Sequence, residues 1–360
     1  MSPRTHRSAV LLVVGVLSLT TGCAAGSADD DQPFVGIAMP TTVQTRWVAD
    51  GENLAEQFGS LGFDVDMQYA DDDAALQAEQ IEQMVAGGAD ALVVGAVDAG
   101  SLTSVLADAH AAGVKVVSYD RLIVDGAAVD YYASFDNRRV GALQASSLLQ
   151  GIGVLDEVGE RTADRGPFAI ELFAGSPDDN NAHVFFDGAM SVLTPYLEDG
   201  VLVVPSGQTT FDQVATPGWA ADVAGERMAS LLAPYRSGTR LAGVLAPNDG
   251  VAQAVVAATG DLGYVPVVTG QDAEIPAVKS VAAGEQYSTV YKDTRQLAEV
   301  TVQMVESLLT GSDPEINDTT SYDNGAGVVP AFLLAPQLVT QDNYRAVLVD
   351  SGYYTAEEIG

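Results

Sequence analysis

The sequence is poor in cysteine, histidine and basic residues, which hold zinc, redox centres and nucleic acids. Its 360 residues include one cysteine and three histidines, and only 16 lysines and arginines stand against 49 aspartates and glutamates. One cysteine excludes an internal disulfide and any CxxC site. The histidines lack zinc-binding spacing, and no GxSxG nucleophile elbow is present. The formal net charge of −33 repels phosphate backbones and favours a soluble monomer, so nucleic acid is not an expected partner.

Long apolar runs are also missing, because the run near the N-terminus is too short to cross a bilayer. Arg4 and Arg7 precede an apolar stretch at 9–20. This pattern is typical of a secretory signal peptide. We therefore predict a signal peptide over residues 1–22 and a flexible, acidic tether over residues 23–33.

The segment LTTGC, which ends at Cys23, resembles a bacterial lipobox. In a lipobox the cysteine is diacylated and becomes the mature N-terminus. Thr20 stands where an aliphatic residue is usual, and a free cysteine in an ordinary signal peptide is the alternative interpretation.

From Phe34 onward, short β-branched or apolar runs alternate with longer amphipathic stretches. Such alternation predicts parallel sheets covered by helices. Strands are predicted at 34–39, 63–69, 91–94, 114–119 and 131–135, and a second series at 168–173, 202–204, 243–245, 265–269 and 287–291. Two α/β sheets in tandem follow. After a helix at 297–309, the apolar segment 327–338 looks like a late strand that periodicity assigns to neither sheet.

Polar side chains follow the ends of five predicted strands, where ligands bind in open α/β sheets. They include Asp120 and Arg121, Asp179 and Asn181, Asn248, Asp272, and Lys292. Any one of these endings also fits an ordinary helix N-cap, but five occur in order. The set mixes hydrogen-bond donors and acceptors, as a neutral polyol requires, whereas an anion site needs donors only.

Two tryptophans accompany these residues. Trp47 follows Arg46 just after the first strand, and Trp219 precedes a helix in the second series. An indole stacks on the flat C–H face of a pyranose while charged residues bind its polar edge. The alternative is that both tryptophans are core residues.

Longer segments resemble a known family. The segments YDRL (119–122), SFDN (134–137), ELFAGSPDDNNA (171–182), GQDAE (270–274) and GEQYSTVYKDT (284–294) are similar to those of the xylose-binding and multiple-monosaccharide-binding proteins of the periplasmic sugar-receptor superfamily. The resemblance runs from about residue 34 to residue 354. It implies an α/β fold of two Rossmann-like lobes with parallel sheets, the periplasmic binding protein type I fold, with a sugar held in the cleft.

The resemblance also implies a hinge of three chain crossings, near residues 134–137, 292–294 and 324–328. The N-terminal lobe would then comprise residues 34–136 and 294–326. The C-terminal lobe would comprise residues 137–293 and 327–360.

Carried over residue by residue, the resemblance assigns ten sugar-binding residues. Arg46 and Trp47 resemble residues that grip the ring and stack on it, and Asp120 and Arg121 would bind hydroxyls from the same lobe. The second lobe and the hinge would contribute Asp179, Asn181, Trp219, Asn248, Asp272 and Lys292. The resemblance implies no cofactor and no metal, and it leaves the sugar open among xylose, glucose, galactose and arabinose.

The implied protein is an extracytoplasmic lipoprotein that passes a monosaccharide to an ABC permease. Its contact with the membrane would be a lipid anchor on Cys23 at the outer face of the cell membrane. A sugar receptor that feeds a sensor kinase or a chemoreceptor is an alternative that the sequence does not separate. A sugar-responsive repressor would need an N-terminal helix-turn-helix, where this sequence has the predicted signal peptide.

An enzyme is the other class to consider, and it is not expected. A glycosidase would need two carboxylates, for which Asp120 with Asp179 or Asp272 are the candidates. Arg121 and Lys292 are expected to keep these carboxylates ionised, which leaves no general acid.

Overall fold

The computed structural model describes Met1 and residues 32–360. The predicted signal peptide, nearly all of the predicted tether and the lipidation site Cys23 lie outside the described residues. Among the helices of residues 32–360, none is both long and apolar enough to cross a membrane.

Ten of the twelve strands in the described residues form two parallel sheets. The strands are β1 (Phe34–Met39), β2 (Asp64–Tyr69), β3 (Ala91–Val94), β4 (Lys115–Tyr119), β5 (Tyr131–Phe135), β6 (Phe168–Leu172), β7 (Leu202–Val203), β8 (Leu241–Leu245), β9 (Val267–Val268), β10 (Ser288–Tyr291), β11 (Ala331–Leu334) and β12 (Gln337–Thr340). The first sheet has the order β11-β5-β4-β3-β1-β2 and the second β7-β6-β8-β9. All neighbours within these two sheets are parallel.

Helices connect the strands. They are α1 (Thr45–Ser60), α2 (Ala74–Ala86), α3 (Thr103–Ala111), α4 (Asn137–Gly151), α5 (Asn180–Glu198), α6 (Phe211–Val214), α7 (Ala221–Leu231), α8 (Ala233–Arg236), α9 (Asp249–Thr259), α10 (Ile275–Ala283), α11 (Thr294–Thr310) and α12 (Ala356–Ile359). Several begin at a side chain that accepts a hydrogen bond from a backbone amide of the first turn, which satisfies a donor that the helix leaves free. These N-caps are Asp73, Asp136, Asp179, Asn248 and Asp293.

Both faces of each parallel sheet are buried. The sequence of β3 is ALVV without alternation, and all four side chains are fully buried, as is typical of a strand between two helical layers. In the first sheet, one core includes Phe58 of α1 and Val302 of α11, and the other includes Ile81 of α2 and Leu106 of α3. In the second sheet, α4 and α5 cover one face and α7 and α9 cover the other.

The chain passes between the two sheets three times. It leaves the first sheet after β5, returns through α11, which packs in the core of the first sheet, and leaves again after β11. Because β11 pairs in parallel with β5, the first lobe extends to residue 334, and the predicted boundary between residues 326 and 327 is wrong. The apolar segment 327–338 holds two strands rather than one, because Pro336 between them lacks an amide hydrogen.

The position of β10 also differs from the prediction. The strand at 287–291 was expected in the second parallel sheet, but β10 pairs with β12 as an antiparallel ribbon. Backbone hydrogen bonds from Tyr287 to Val268 (3.0 Å) and from Val290 to Gly270 (3.1 Å) still join it to β9.

The contact between α4 and α5 fixes the start of α5 beside the first chain crossing. Two glycines permit it, since a Cβ at Gly141 would clash with the carbonyl oxygen of Phe185, and one at Gly188 would clash with that of Arg138. At this crossing, Asn137 Nδ2 donates a hydrogen bond to Asn181 Oδ1 (3.0 Å). The beginning of α5 is thereby held against the first sheet.

Candidate functional site

A narrow cavity lies between the two sheets, beyond the carboxyl ends of their strands. This is where open α/β sheets bind ligands. Its lining residues are Gln44, Arg46, Trp47, Asp120, Arg121, Asp179, Asn181, Phe185, Trp219, Asn248, Gln271, Asp272 and Lys292. The structure therefore brings all ten of the predicted sugar-binding residues around one cavity.

The first turn of α1 supplies Arg46 and Trp47. The Arg46 guanidinium bonds to the buried carboxylate of Asp50 one turn later, at 3.0 Å from Nε and 2.7 Å from Nη2. It also lies over the indole of Trp47, 4.5 Å from the ring centroid. Trp47 Nε1 donates to Gln44 Oε1 (3.0 Å). These contacts fix the rotamers of both side chains.

The loop after β4 supplies Asp120 and Arg121. Asp120 has a left-handed backbone with a φ of 56°, a conformation that costs free energy in non-glycine residues and that clusters at functional sites. The Asp120 carbonyl accepts hydrogen bonds from Ser134 Oγ and Asn181 Nδ2, both at 2.8 Å. Arg121 Nη1 donates to the Ala96 carbonyl (2.9 Å). These hydrogen bonds therefore fix the position of the loop in the cleft.

The second lobe supplies Asp179 and Asn181 at the start of α5. Asp179 caps the helix by accepting from the Asn181 amide (2.9 Å). Asn248 likewise caps α9 by accepting from Val251 (3.0 Å). Asp179 and Asn248 are therefore helix N-caps and also line the cavity. Asp272 lines the cavity but caps no helix.

Trp219 lies on a turn with a strained backbone, and its indole packs against Gly175. Its φ of 55° is rare for an aromatic residue. A Cβ at Gly175 would lie only 2.5 Å from Cζ3 of the indole, so the ring needs a glycine beneath it. Both tryptophans are also buried, Trp47 at 1% exposure and Trp219 at 8%. Each indole is thus a core residue and a wall of the cavity at once.

Ion pairs join the two lobes across the cavity. Arg121 Nε lies 3.0 Å from Asp179 Oδ2, and Arg46 Nη1 lies 3.5 Å from Asp272 Oδ1. Lys292, where the chain returns to the first lobe, lies 3.0 Å from Asp272 Oδ1. All these side chains are at most 10% exposed, so a group that lost its partner would be a buried, unpaired charge.

These charges shift the titration of the carboxylates in different directions. Burial would raise the pKa of Asp120, but Arg46, Lys292 and Arg121 hold it below its usual value. For Asp179, burial prevails over the opposing charge of Arg121 and raises the pKa of the carboxyl. The cations therefore favour ionisation of Asp120 more than that of Asp179, whereas both carboxylates were expected to be kept ionised alike.

Three buried polar atoms of the cavity have no hydrogen-bond partner in the described part of the chain. They are Asp120 Oδ2, Trp219 Nε1 and Gln271 Oε1. Asp120 Oδ2 does lie 3.0 Å from Arg46 Nη2, but as an ion pair without hydrogen-bond alignment. Buried polar atoms are almost always satisfied in folded proteins, so the donor Trp219 Nε1 and the acceptor Gln271 Oε1, both without a partner among the described residues, indicate a polar ligand.

Sequence reasoning missed three lining residues. Gln44 immediately precedes α1 and Phe185 lies inside α5, so neither belongs to the polar residues that directly follow a strand. Gln271 follows β9 and belongs to the same polar strand ending as Asp272, but the resemblance assigned only Asp272 to the sugar site. The signal for Phe185 lay only in helical spacing, one turn after Asn181.

The second lobe also carries a wider, open depression of about 1110 Å³, lined by Tyr287, Val158 and neighbouring residues. Its lining includes no tryptophan and no cationic side chain. Within residues 32–360, no three His, Cys, Asp or Glu side chains are grouped as a metal site requires. The cavity between the lobes is therefore the candidate ligand site.

Comparisons with known proteins agree with this geometry. A family model described as "Periplasmic binding protein domain" matches residues 35–313. The multiple sugar-binding periplasmic receptor ChvE of Rhizobium radiobacter is 48% identical over 357 residues, which cover 96% of this chain and 99% of the receptor. The D-xylose-binding periplasmic protein of Escherichia coli is 32% identical, over 97% of this chain and 98% of that protein.

A solved structure gives the same result. The ABC transporter solute-binding protein of Clostridium phytofermentans, solved with bound β-D-glucose, superimposes with a TM-score of 0.86 at 43% identity. The match covers 91% of this chain and 100% of that protein. The chain belongs to the periplasmic binding protein family, with the type I fold, and is a solute-binding protein rather than an enzyme.

Proposed function

We propose that this protein captures one neutral monosaccharide of the xylose, glucose, galactose or arabinose class between its lobes and delivers it to an ABC permease. The observation that carries the proposal is the cavity itself, in which two indoles meet buried donors and acceptors, three of them without a hydrogen-bond partner in the described residues. A pyranose offers apolar C–H faces to the indoles and hydroxyls to the polar atoms, since each hydroxyl both donates and accepts.

The charge balance of the cavity favours a neutral ligand. Three cations and three anions line it: Arg46, Arg121 and Lys292, and Asp120, Asp179 and Asp272. These groups already pair with one another, so no surplus positive charge is left for a phosphate or carboxylate. Hydrogen bonds to charged groups contribute about 1.5–3 kcal/mol each, which suits tight binding of an uncharged polyol.

The relatives support the same class of ligand. ChvE is a multiple sugar-binding receptor, the Escherichia coli protein binds D-xylose, and a carbohydrate transporter solute-binding protein from Chloroflexus aurantiacus, 34% identical with a TM-score of 0.81, was solved in complex with D-glucose. Delivery to a permease is supported by the description of the Clostridium phytofermentans protein as part of an ABC transporter.

A thermal-shift panel of the purified protein tests the ligand class. We expect xylose, glucose, galactose or arabinose to raise the melting temperature by several degrees, because a ligand that binds only the folded state stabilises it. Ribose and fucose complete the panel, and glucose 6-phosphate is the matched anionic control. No shift with any sugar, or a larger shift with the phosphate, would contradict the proposal.

Lipid anchoring at Cys23 is the remaining part of the proposal, and it is supported by the sequence pattern LTTGC. Cells that produce the wild-type protein should incorporate labelled palmitate into it and retain it in the membrane fraction. Cys23→Ser should lose both properties while binding sugar normally. A Cys23→Ser protein that stays in the membrane fraction would argue against the anchor.

A further inference from the structure

The turn that carries Asp272 into the cavity has a strained backbone. Asp272 and Ala273 both have positive φ values, 93° and 52°. Non-glycine residues adopt this conformation only where the surrounding structure holds them in it. Since Asp272 contacts both Arg46 and Lys292, whatever holds this turn also sets the position of a predicted sugar-binding carboxylate.

Asp249, the first residue of α9, is bonded to this turn. Its carboxylate is 1% exposed, and Oδ2 accepts from the amide of Glu274 (2.9 Å) and from the hydroxyl of Thr289 (3.0 Å). The Thr289 hydroxyl in turn accepts from the amide of Ala273 (3.1 Å). Both amides that follow Asp272 are therefore tied to one carboxylate, directly or through Thr289.

The rest of the environment is built around the same carboxylate. Asp249 Oδ1 accepts from Gln286 Nε2 (2.9 Å). A Cβ at position 270 would clash with both Asp249 Oδ1 and Gln286 Nε2, so Gly270 leaves the space that the carboxylate occupies. Asp249 takes part in no ion pair among residues 32–360, and burial raises its pKa well above the usual value.

Burying an ionisable carboxyl group without a cationic partner costs free energy of folding. Asp249 does not line the cavity, so direct contact with a ligand does not explain it. Its three hydrogen bonds explain why a carboxyl group stands at this position, because two of them restrain the turn of Asp272.

We propose that Asp249 is a positioning residue for sugar recognition, which acts by holding the left-handed turn at Asp272 and Ala273 through Glu274 N–H and the Thr289 hydroxyl. This inference rests on the proposed function, and it adds to it a residue that never touches the sugar.

A double-mutant cycle measured by titration calorimetry with D-glucose tests the inference. Thr289→Val removes the hydroxyl link with little change of volume, and we expect it to lower affinity about fivefold. Asp249→Asn should lower affinity by more. Thr289→Ser, which restores the hydroxyl, should recover most of the loss. Thr301→Val, at another buried threonine, in α11, is the matched control.

The decisive comparison is the same substitution in the Asp272→Ala background. If Asp249 and Thr289 act through Asp272, Thr289→Val should then lower affinity by less than about twofold, because residues of one network are not additive. Equal losses in both backgrounds, or wild-type affinity in Thr289→Val and Asp249→Asn, would overturn the inference while leaving the proposed function intact. A folded wild-type protein that does not bind D-glucose or any other sugar of the panel would overturn both.

Discussion

The contact between Gly175 and Trp219 makes a sharp prediction about the sugar site. In Gly175→Ala, the new methyl group would lie 2.5 Å or less from three carbons of the indole, far inside van der Waals contact. The glycine has an ordinary negative φ, so its backbone accepts alanine and the steric contact is the whole effect. Overpacking of this kind costs about 1–3 kcal/mol. The indole must either stay under strain or move out of the position where it would face a sugar.

If the ring moves, the loss falls on binding, and 1–3 kcal/mol corresponds to about a 5- to 150-fold weaker affinity. Titration calorimetry with the best sugar of the panel measures this, and tryptophan emission reports the ring directly, because Trp47 and Trp219 are the two tryptophans of the chain. Gly225→Ala in α7, where a Cβ meets only ordinary contacts, is the control and should bind normally. A Gly175→Ala protein with unchanged affinity, emission and melting temperature would refute the steric argument.

Three further predictions concern charge, hydrogen bonding and pH. Arg121→Ala or Asp272→Ala should lower sugar affinity at least tenfold with the fold intact by circular dichroism, because each leaves a buried partner unpaired; wild-type affinity by calorimetry would exclude these residues from the site. Trp219→Phe should lower affinity by up to about tenfold, since it keeps an aromatic face but removes the unpartnered N–H; an unchanged affinity would show that the N–H does not bind sugar. Melting temperature should fall as pH rises above about 3.9, the unfolded-state pKa of an aspartate, because burial raises the folded-state pKa of Asp249 and the stability that this shift contributes is lost as pH rises through the folded-state pKa; Asp249→Asn should flatten the slope, and an equal slope in both proteins would contradict the prediction. Asp120, whose pKa is lowered, gives the opposite trend, but only below about pH 4.

The sequence predicted the strands and the polar residues at their ends for a physical reason. Buried parallel strands are short, uninterrupted apolar runs, and β3 and β5 begin and end at the residues predicted. Because parallel strands present their carboxyl ends at one edge, the polar residues that follow different strands meet in space although they are far apart in the chain. Arg46 and Trp47 follow no such rule, since Trp47 was proposed as an aromatic that could stack on a sugar and the family resemblance then assigned both residues to the site.

Other features depend on tertiary contacts that periodicity does not encode. Segment 327–338 is mostly apolar, and although Pro336 interrupts it, only its pairing with β5 on one side and β10 on the other shows that its two strands belong to two sheets. Phe185 resembles any other core residue of α5. The left-handed backbone at Asp272 is equally invisible in sequence, because aspartate is common in turns of every type.

The pairing of charges across the cleft links recognition of the sugar to closure of the lobes. In the proposed receptor, Arg121 of one lobe meets Asp179 of the other, so this ion pair exists only while the lobes are together. A sugar hydroxyl that bonds to such groups therefore binds the closed form better than the open one, and a ligand shifts a conformational equilibrium only by that difference. An epimer that misplaces one hydroxyl leaves a buried group unpartnered, which costs about 1–3 kcal/mol. The same deficit that weakens binding also weakens closure, so discrimination between epimers should be at least as strong in delivery to a permease as in affinity.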